Sequence, residues 1–117
     1  MQLFAFVVRK AGTTREQFLH HWHEVHGPLI RDTPGLGDRL LRYEQHPTHP
    51  NDRSGYDGVA VQAFATWDDF LAMLDGPAGA AMRADETRFI EQADIKVVFT
   101  AEPTVIVSGT DPSGPTA

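Results

Sequence analysis

The chain has 117 residues, enough for one domain with a single buried core, and 41% of them are apolar. Its net charge of −6 argues against nucleic acid and anionic membrane surfaces as partners. It contains no cysteine, which excludes disulfides, a thiol nucleophile and thiolate metal sites.

No apolar run reaches the roughly 18 residues needed to cross a bilayer. The start Met1-Gln2-Leu3-Phe4 also lacks the basic stretch of a signal peptide. The expectation is a soluble, cytoplasmic protein. Residues 2–9 read as a strand with apolar side chains on both faces: Phe4, Phe6 and Val8 on one, Leu3, Ala5 and Val7 on the other. Such a strand is covered on both sides.

Ala11-Gly12 marks a turn, and Thr13 to Glu16 and Thr14 to Gln17 are overlapping capping boxes. They announce a helix on which Phe18, Trp22, Val25 and Leu29 share a face. Four histidines, His20, His21, His23 and His26, lie on this helix. Pro28 predicts a kink or end one turn after His26. Thr33-Pro34-Gly35 breaks the pattern, and residues 38–46 read as a second strand with Leu41, Tyr43 and Gln45 on one face. A polar loop from Pro47 to Gly55 leads to a third strand over residues 57–66.

Thr66 is the expected N-cap of a short helix through Trp67, Phe70, Leu71 and Leu74. After Gly76-Pro77 a further helix is expected from about Ala78 to Ile90, with Ala78, Met82, Asp85 and Phe89 on one stripe. Residues 95–107 read as the last strand, which Pro103 should push to an edge or bulge. The order βαββαβ, with its second helical segment split, predicts an α+β, ferredoxin-like fold: an antiparallel four-stranded sheet with helices on one face. Residues 1–108 form that domain and 109–117 a flexible tail. Because helices cover one face only, the simplest cover for the other is a second copy of the sheet, giving a homodimer.

His26 lies beside the core stripe at about 100° per residue, so its imidazole is expected to face the sheet and to handle protons near neutrality. Tyr43 can donate to a developing enolate oxygen, and packing alone is the alternative role. Asp85, a carboxylate on an apolar stripe, can orient His26 or act as a base. His46 points to the other face unless a bulge near Pro47 turns it. Arg42 suits either an anionic substrate or a surface ion pair. The spacing His23-Glu24-Val25-His26 is three residues and not the four of the zinc-protease helix, and no native metal site is expected.

The stretch Phe18-Leu19-His20-His21-Trp22-His23-Glu24-Val25-His26-Gly27-Pro28-Leu29 resembles the signature of the EthD family. Arg42-Tyr43-Glu44-Gln45-His46, Tyr56-Asp57-Gly58-Val59-Ala60 and Ala84-Asp85-Glu86-Thr87-Arg88-Phe89 resemble its later segments. The likeness spans about residues 3–102. It implies a dimeric α/β barrel, two ferredoxin-like sheets face to face, with a cleft between helices and sheet in each subunit. It also implies kinship with small cofactor-free enzymes acting on lactones, polyketides and quinone-like rings, and with members of auxiliary role. In lactone-isomerising relatives a first-helix histidine and a second-strand tyrosine belong to the cleft, and His26 and Tyr43 match them. Some of those relatives use a cysteine, which this sequence lacks.

The expected function is cofactor-independent acid/base chemistry, meaning isomerisation, cyclisation or dehydration, on a cyclic oxygenated small-molecule substrate. His26, Tyr43, Asp85 and His46 are the expected catalytic residues; Trp22, Leu29, Arg42, Phe64 and Met82 are expected to bind substrate. Cofactor-free oxygenation of a ring and a non-catalytic binding role remain the alternatives.

Overall fold

The computed structural model describes residues 1–109, so the tail expected from Gly109 to Ala117 lies, apart from Gly109, outside the described residues. Strands β1 (Gln2–Val7), β2 (Arg42–Pro47), β3 (Gly58–Ala63) and β4 (Lys96–Thr100) form one antiparallel sheet in the order β2-β3-β1-β4. Helices α1 (Arg15–His21) and α2 (Gly27–Asp32) follow β1; α3 (Trp67–Leu74) and α4 (Gly76–Glu86) follow β3. This is the ferredoxin-like arrangement that the alternation of patterns predicts.

The register places Leu3 opposite Gln62 and Phe99, and Tyr43 opposite Gln62, so these side chains share one sheet face. The helices pack on that face in two buried clusters. One joins Leu3 to Ile30, Phe64, Phe70, Met73 and Met82; the other joins Val7 and Ala60 to Phe18, Trp22, Phe89 and Ile90. The opposite face carries Phe4, Phe6, Val59, Val61 and Val98, none of which belongs to either cluster.

The first helical segment departs from expectation at its centre. Between α1 and α2, Trp22–His26 form a π-helical turn, and the Gly27 N–H bonds to the Trp22 carbonyl five residues back. Pro28, without an N–H, sits in the first turn of α2, and the helix runs on to Asp32. A π turn holds an extra residue and shifts everything after it around the axis. The buried face is therefore Phe18, Trp22, His26 and Ile30, while Val25 is 42% exposed. The expected stripe through Val25 and Leu29 is corrected accordingly.

At the start of α1, Thr14 accepts from the Gln17 N–H while the Gln17 side chain accepts from the Thr14 N–H. Of the two overlapping boxes, this one forms. Thr14→Ala is expected to lower the melting temperature by about 4 °C, from a cap worth about 1 kcal/mol. An unchanged melting curve would show that the reciprocal cap is not contributing. Helix α4 begins at Gly76, with Pro77 in its first turn, and ends at Glu86, short of the expected Ile90. Strand β4 ends at Thr100, and Val105, Ile106 and Val107 beyond Pro103 are exposed and outside any strand.

Candidate active site

Between the helices and the sheet lies a cavity of about 300 Å³. Leu3, Ala5 and Val7 of β1, Ala60 of β3 and Val97 and Phe99 of β4 form its sheet wall. Met73 of α3 and Met82 of α4, with Ile90 beyond the end of α4, close it opposite the sheet. Into this apolar space reach His26, Tyr43, Gln62, Arg83 and Glu86.

His26 is 4% exposed, because the π turn rotates it onto the buried face. Its Nδ1 lies 2.8 Å from Asp85 Oδ2, and His21 Nε2 lies 3.0 Å from the other carboxylate oxygen. The Arg88 guanidinium is a third partner, 3.6 Å from Asp85 Oδ1. Burial disfavours charge on Asp85, but the hydrogen bonds from His26 and His21 outweigh it and hold the carboxyl below its ordinary range. An ionised carboxylate only accepts, so His26 Nδ1 carries the proton and its Nε2 lone pair is left for the cavity. Desolvation lowers the His26 pKa more than Asp85 raises it, so the ring is neutral at pH 7. Phe89 packs against both imidazoles, with centroids 4.5 Å from His21 and 5.0 Å from His26.

Tyr43 faces the same cavity from β2. The Gln45 amide donates to its hydroxyl oxygen at 2.8 Å and to the Trp22 carbonyl at 2.7 Å. Gln45 thus ties the π turn to β2, and the Tyr43 O–H proton remains available to a ligand. Burial is the main cause that pushes the phenol up to about 12, so it stays protonated through the physiological range. Glu86 stands one residue beyond Asp85. Burial pushes its carboxyl up to about 7, opposed by Arg83 and reinforced by the Asp85 charge.

The expected residues separate clearly. His26, Tyr43, Trp22 and Met82 line the cavity, and Asp85 supports it from behind His26. His46 does not join them: β2 pairs with β3 without a bulge, and His46 stays on the far face, 3.0 Å from Glu44. Arg42 shares that face, 3.7 Å from Glu44. Phe64 is sealed in the core against Phe70 and lies outside the cavity lining. Leu29 is displaced from the lining by the π turn. Two groups were not anticipated. His21 is the second imidazole on Asp85, and Glu86, beside Asp85 on α4, lines the cavity. Gln45 was legible only as a member of the Tyr43 face. Among the described residues no group of three or more histidine, aspartate or glutamate side chains is arranged to hold a metal ion.

A wider, more open cleft of about 530 Å³ lies outside, bordered by His23, Pro28, Arg31, Leu41 and Arg42, and meets the cavity at Tyr43. Its arginines are already engaged, Arg31 with Asp32 at 2.8 Å and Arg42 near Glu44. The smaller inner cavity holds the perturbed ionisable groups and is the better candidate for chemistry.

The EthD domain family model matches residues 10–93. No curated protein matches the sequence. A dimeric ferredoxin-like protein of unknown function from Thermobifida fusca YX superposes with a TM-score of 0.61 at 21% identity, over 83% of this chain and 85% of that one. An EthD-family protein from Bacillus halodurans C-125 gives a TM-score of 0.60 at 14% identity, over 86% and 100%. A candidate antibiotic biosynthesis monooxygenase from Nitrosomonas europaea gives 0.58 at 18%, over 87% and 98%. At these identities the likeness is one of fold.

Proposed function

The chain belongs to the EthD family, and from that premise we propose that it is a cofactor-independent enzyme moving protons on a cyclic oxygenated substrate, such as a lactone or polyketide. The reaction class is isomerisation, cyclisation or dehydration. One observation carries the reading. A neutral imidazole, held through Nδ1 by a buried carboxylate, lines an apolar cavity that a phenol also lines.

In this reading His26 Nε2 removes a proton from carbon beside a carbonyl. Asp85 stabilises the imidazolium that results, and Tyr43 donates a hydrogen bond to the enolate oxygen. The apolar walls keep water from competing. The test uses 2-tetralone, a bicyclic ketone with exchangeable α-hydrogens, in deuterated buffer. The native protein should accelerate exchange well above the buffer rate; exchange at the buffer rate with this and related cyclic ketones overturns the reading. Cofactor-free oxygenation of a similar ring is the second reading, favoured by the fold shared with the Nitrosomonas europaea protein. Oxygen consumption coupled to substrate loss would identify it.

The assembly proposed is a homodimer through the uncovered sheet face. The strip of Phe4, Phe6, Val59 and Val98 supports it, as does the dimeric state of the Thermobifida fusca neighbour. Light scattering should give about twice the 12.9 kDa chain mass, and Phe6→Asp should halve it. A native monomer at micromolar concentration would contradict the interface.

A further inference from the structure

We propose that Glu86 is the proton donor of the inner cavity, and that the cavity takes an uncharged cyclic carbonyl compound whose oxygen accepts the Glu86 proton. This rests on the acid/base reading of His26 and completes it.

The placement comes from helix α4. Met82, Asp85 and Glu86 lie on the side of α4 that meets the cavity and the first helical segment, and consecutive residues take different tasks. Asp85 reaches the outer nitrogen of His26, while Glu86 enters the cavity itself. Asp85 is committed to two imidazoles. Glu86 has no side-chain hydrogen-bond partner among the described residues, although it lines an apolar space. A carboxyl in that setting holds its proton to higher pH than usual and, while protonated, offers an O–H to whatever fills the cavity.

The surroundings bear this out group by group. From α4, Arg83 favours ionisation of Glu86 and Asp85 opposes it. From the π turn comes His26, and from β2 comes Tyr43. The linings from β1, β3, β4 and α3 are uncharged: Leu3, Val7, Ala60, Gln62, Phe99 and Met73 among them. Burial dominates, and the carboxyl titrates at about 7.

Tyr43 and Glu86 then divide the work at the substrate oxygen. A phenol pushed up to about 12 holds a hydrogen bond but parts with its proton reluctantly. A carboxyl near 7 can transfer it outright. In the forward step His26 Nε2 takes the α-hydrogen as its C–H bond breaks, the electron pair forms the C=C bond, and Glu86 passes its proton to the carbonyl oxygen. The products are an enol, an imidazolium and a carboxylate. Where the substrate carries a C=C bond next to the α-carbon the enol is a conjugated dienol; return of its O–H proton to Glu86, with delivery of the imidazolium proton to the γ-carbon as the C=C bond shifts into conjugation with the re-formed carbonyl, completes an isomerisation with no net change in the protein. An anionic ligand fits poorly, since the carboxyl above pH 7 and the nearby Asp85 would both repel it.

Glu86→Gln keeps the shape and an N–H donor but releases no proton. Two readouts apply to native and variant proteins: calorimetric binding of 2-tetralone at pH 6 and 8.5, and the pH profile of its α-hydrogen exchange. Native affinity should fall about tenfold or more across that interval as the donor ionises, while the variant's should not change. Exchange should slow at least tenfold in the variant, with loss of the alkaline limb near pH 7. The same pH dependence of binding in both proteins overturns the proposal. Native binding with the expected dependence but without exchange would keep Glu86 as donor and remove the acid/base reading of His26.

Discussion

His26→Gln should slow 2-tetralone exchange about 10²-fold or more, the usual contribution of a positioned acid/base group. Gln keeps a polar side chain of similar reach at a position 4% exposed, so folding should survive. A melting temperature close to native, measured beside the rate, separates lost chemistry from lost structure. The companion change Asp85→Asn acts through His26. It removes the carboxylate that fixes the proton on Nδ1, so the rate should fall there too. The sign of its pH effect is definite. Asp85 raises the His26 pKa against desolvation, so its neutralisation lets that pKa fall further. The base then stays neutral to lower pH, and the acid limb of the profile should move down. A purely structural loss would lower the rate without moving the limb.

Trp22→Ala should cost about 3–5 kcal/mol, a large part of the 5–15 kcal/mol that holds a domain of this size. The indole is 1% exposed and packs against Phe18 with centroids 5.2 Å apart. Its six-membered ring also lies directly over Gly58 at the start of β3: a Cβ there would stand 2.5 Å from Trp22 Cη2 and Cζ3. Gly58→Ala should therefore cost about 1–3 kcal/mol by overpacking and push the indole toward the cavity. The two effects share one contact. In the Trp22→Ala background the Gly58→Ala change should cost little, giving a coupling above about 0.5 kcal/mol in a denaturation cycle. Additive losses would show that the glycine answers to something other than the ring.

Much of this fold can be read from the chain because its signals are local. Thr14 and Thr66 cap helices where their spacing says they should, and the alternation along β1 marks two apolar faces. The site is less legible, and the main reason is the π turn. On a regular helix Val25 and Leu29 follow Trp22; with one residue more in the turn, His26 and Ile30 replace them. That shift moves His26 from the margin of the buried face to its middle and removes Leu29 from the lining. Nothing in the pattern of Trp22-His23-Glu24-Val25-His26 marks the extra residue. A tertiary contact accompanies it, the Gln45 amide donating to the Trp22 carbonyl. Glu86 was hidden for a related reason. Asp85 and Glu86 are neighbours, and periodicity places one of them inward; the cavity and the imidazole cluster give each a separate polar destination. His46 went the other way, since only a bulge could have turned it, and β2 has none.

The most direct measurement is a crystal structure of the native protein soaked with 2-tetralone. The ketone should occupy the 300 Å³ inner cavity, its oxygen within hydrogen-bond reach of Tyr43 or Glu86. Its α-carbon should lie about 3–3.5 Å from His26 Nε2, as a near-attack arrangement requires. A ketone seated instead in the outer cleft beside Arg31 and Leu41, with no ligand density at His26, would contradict the account.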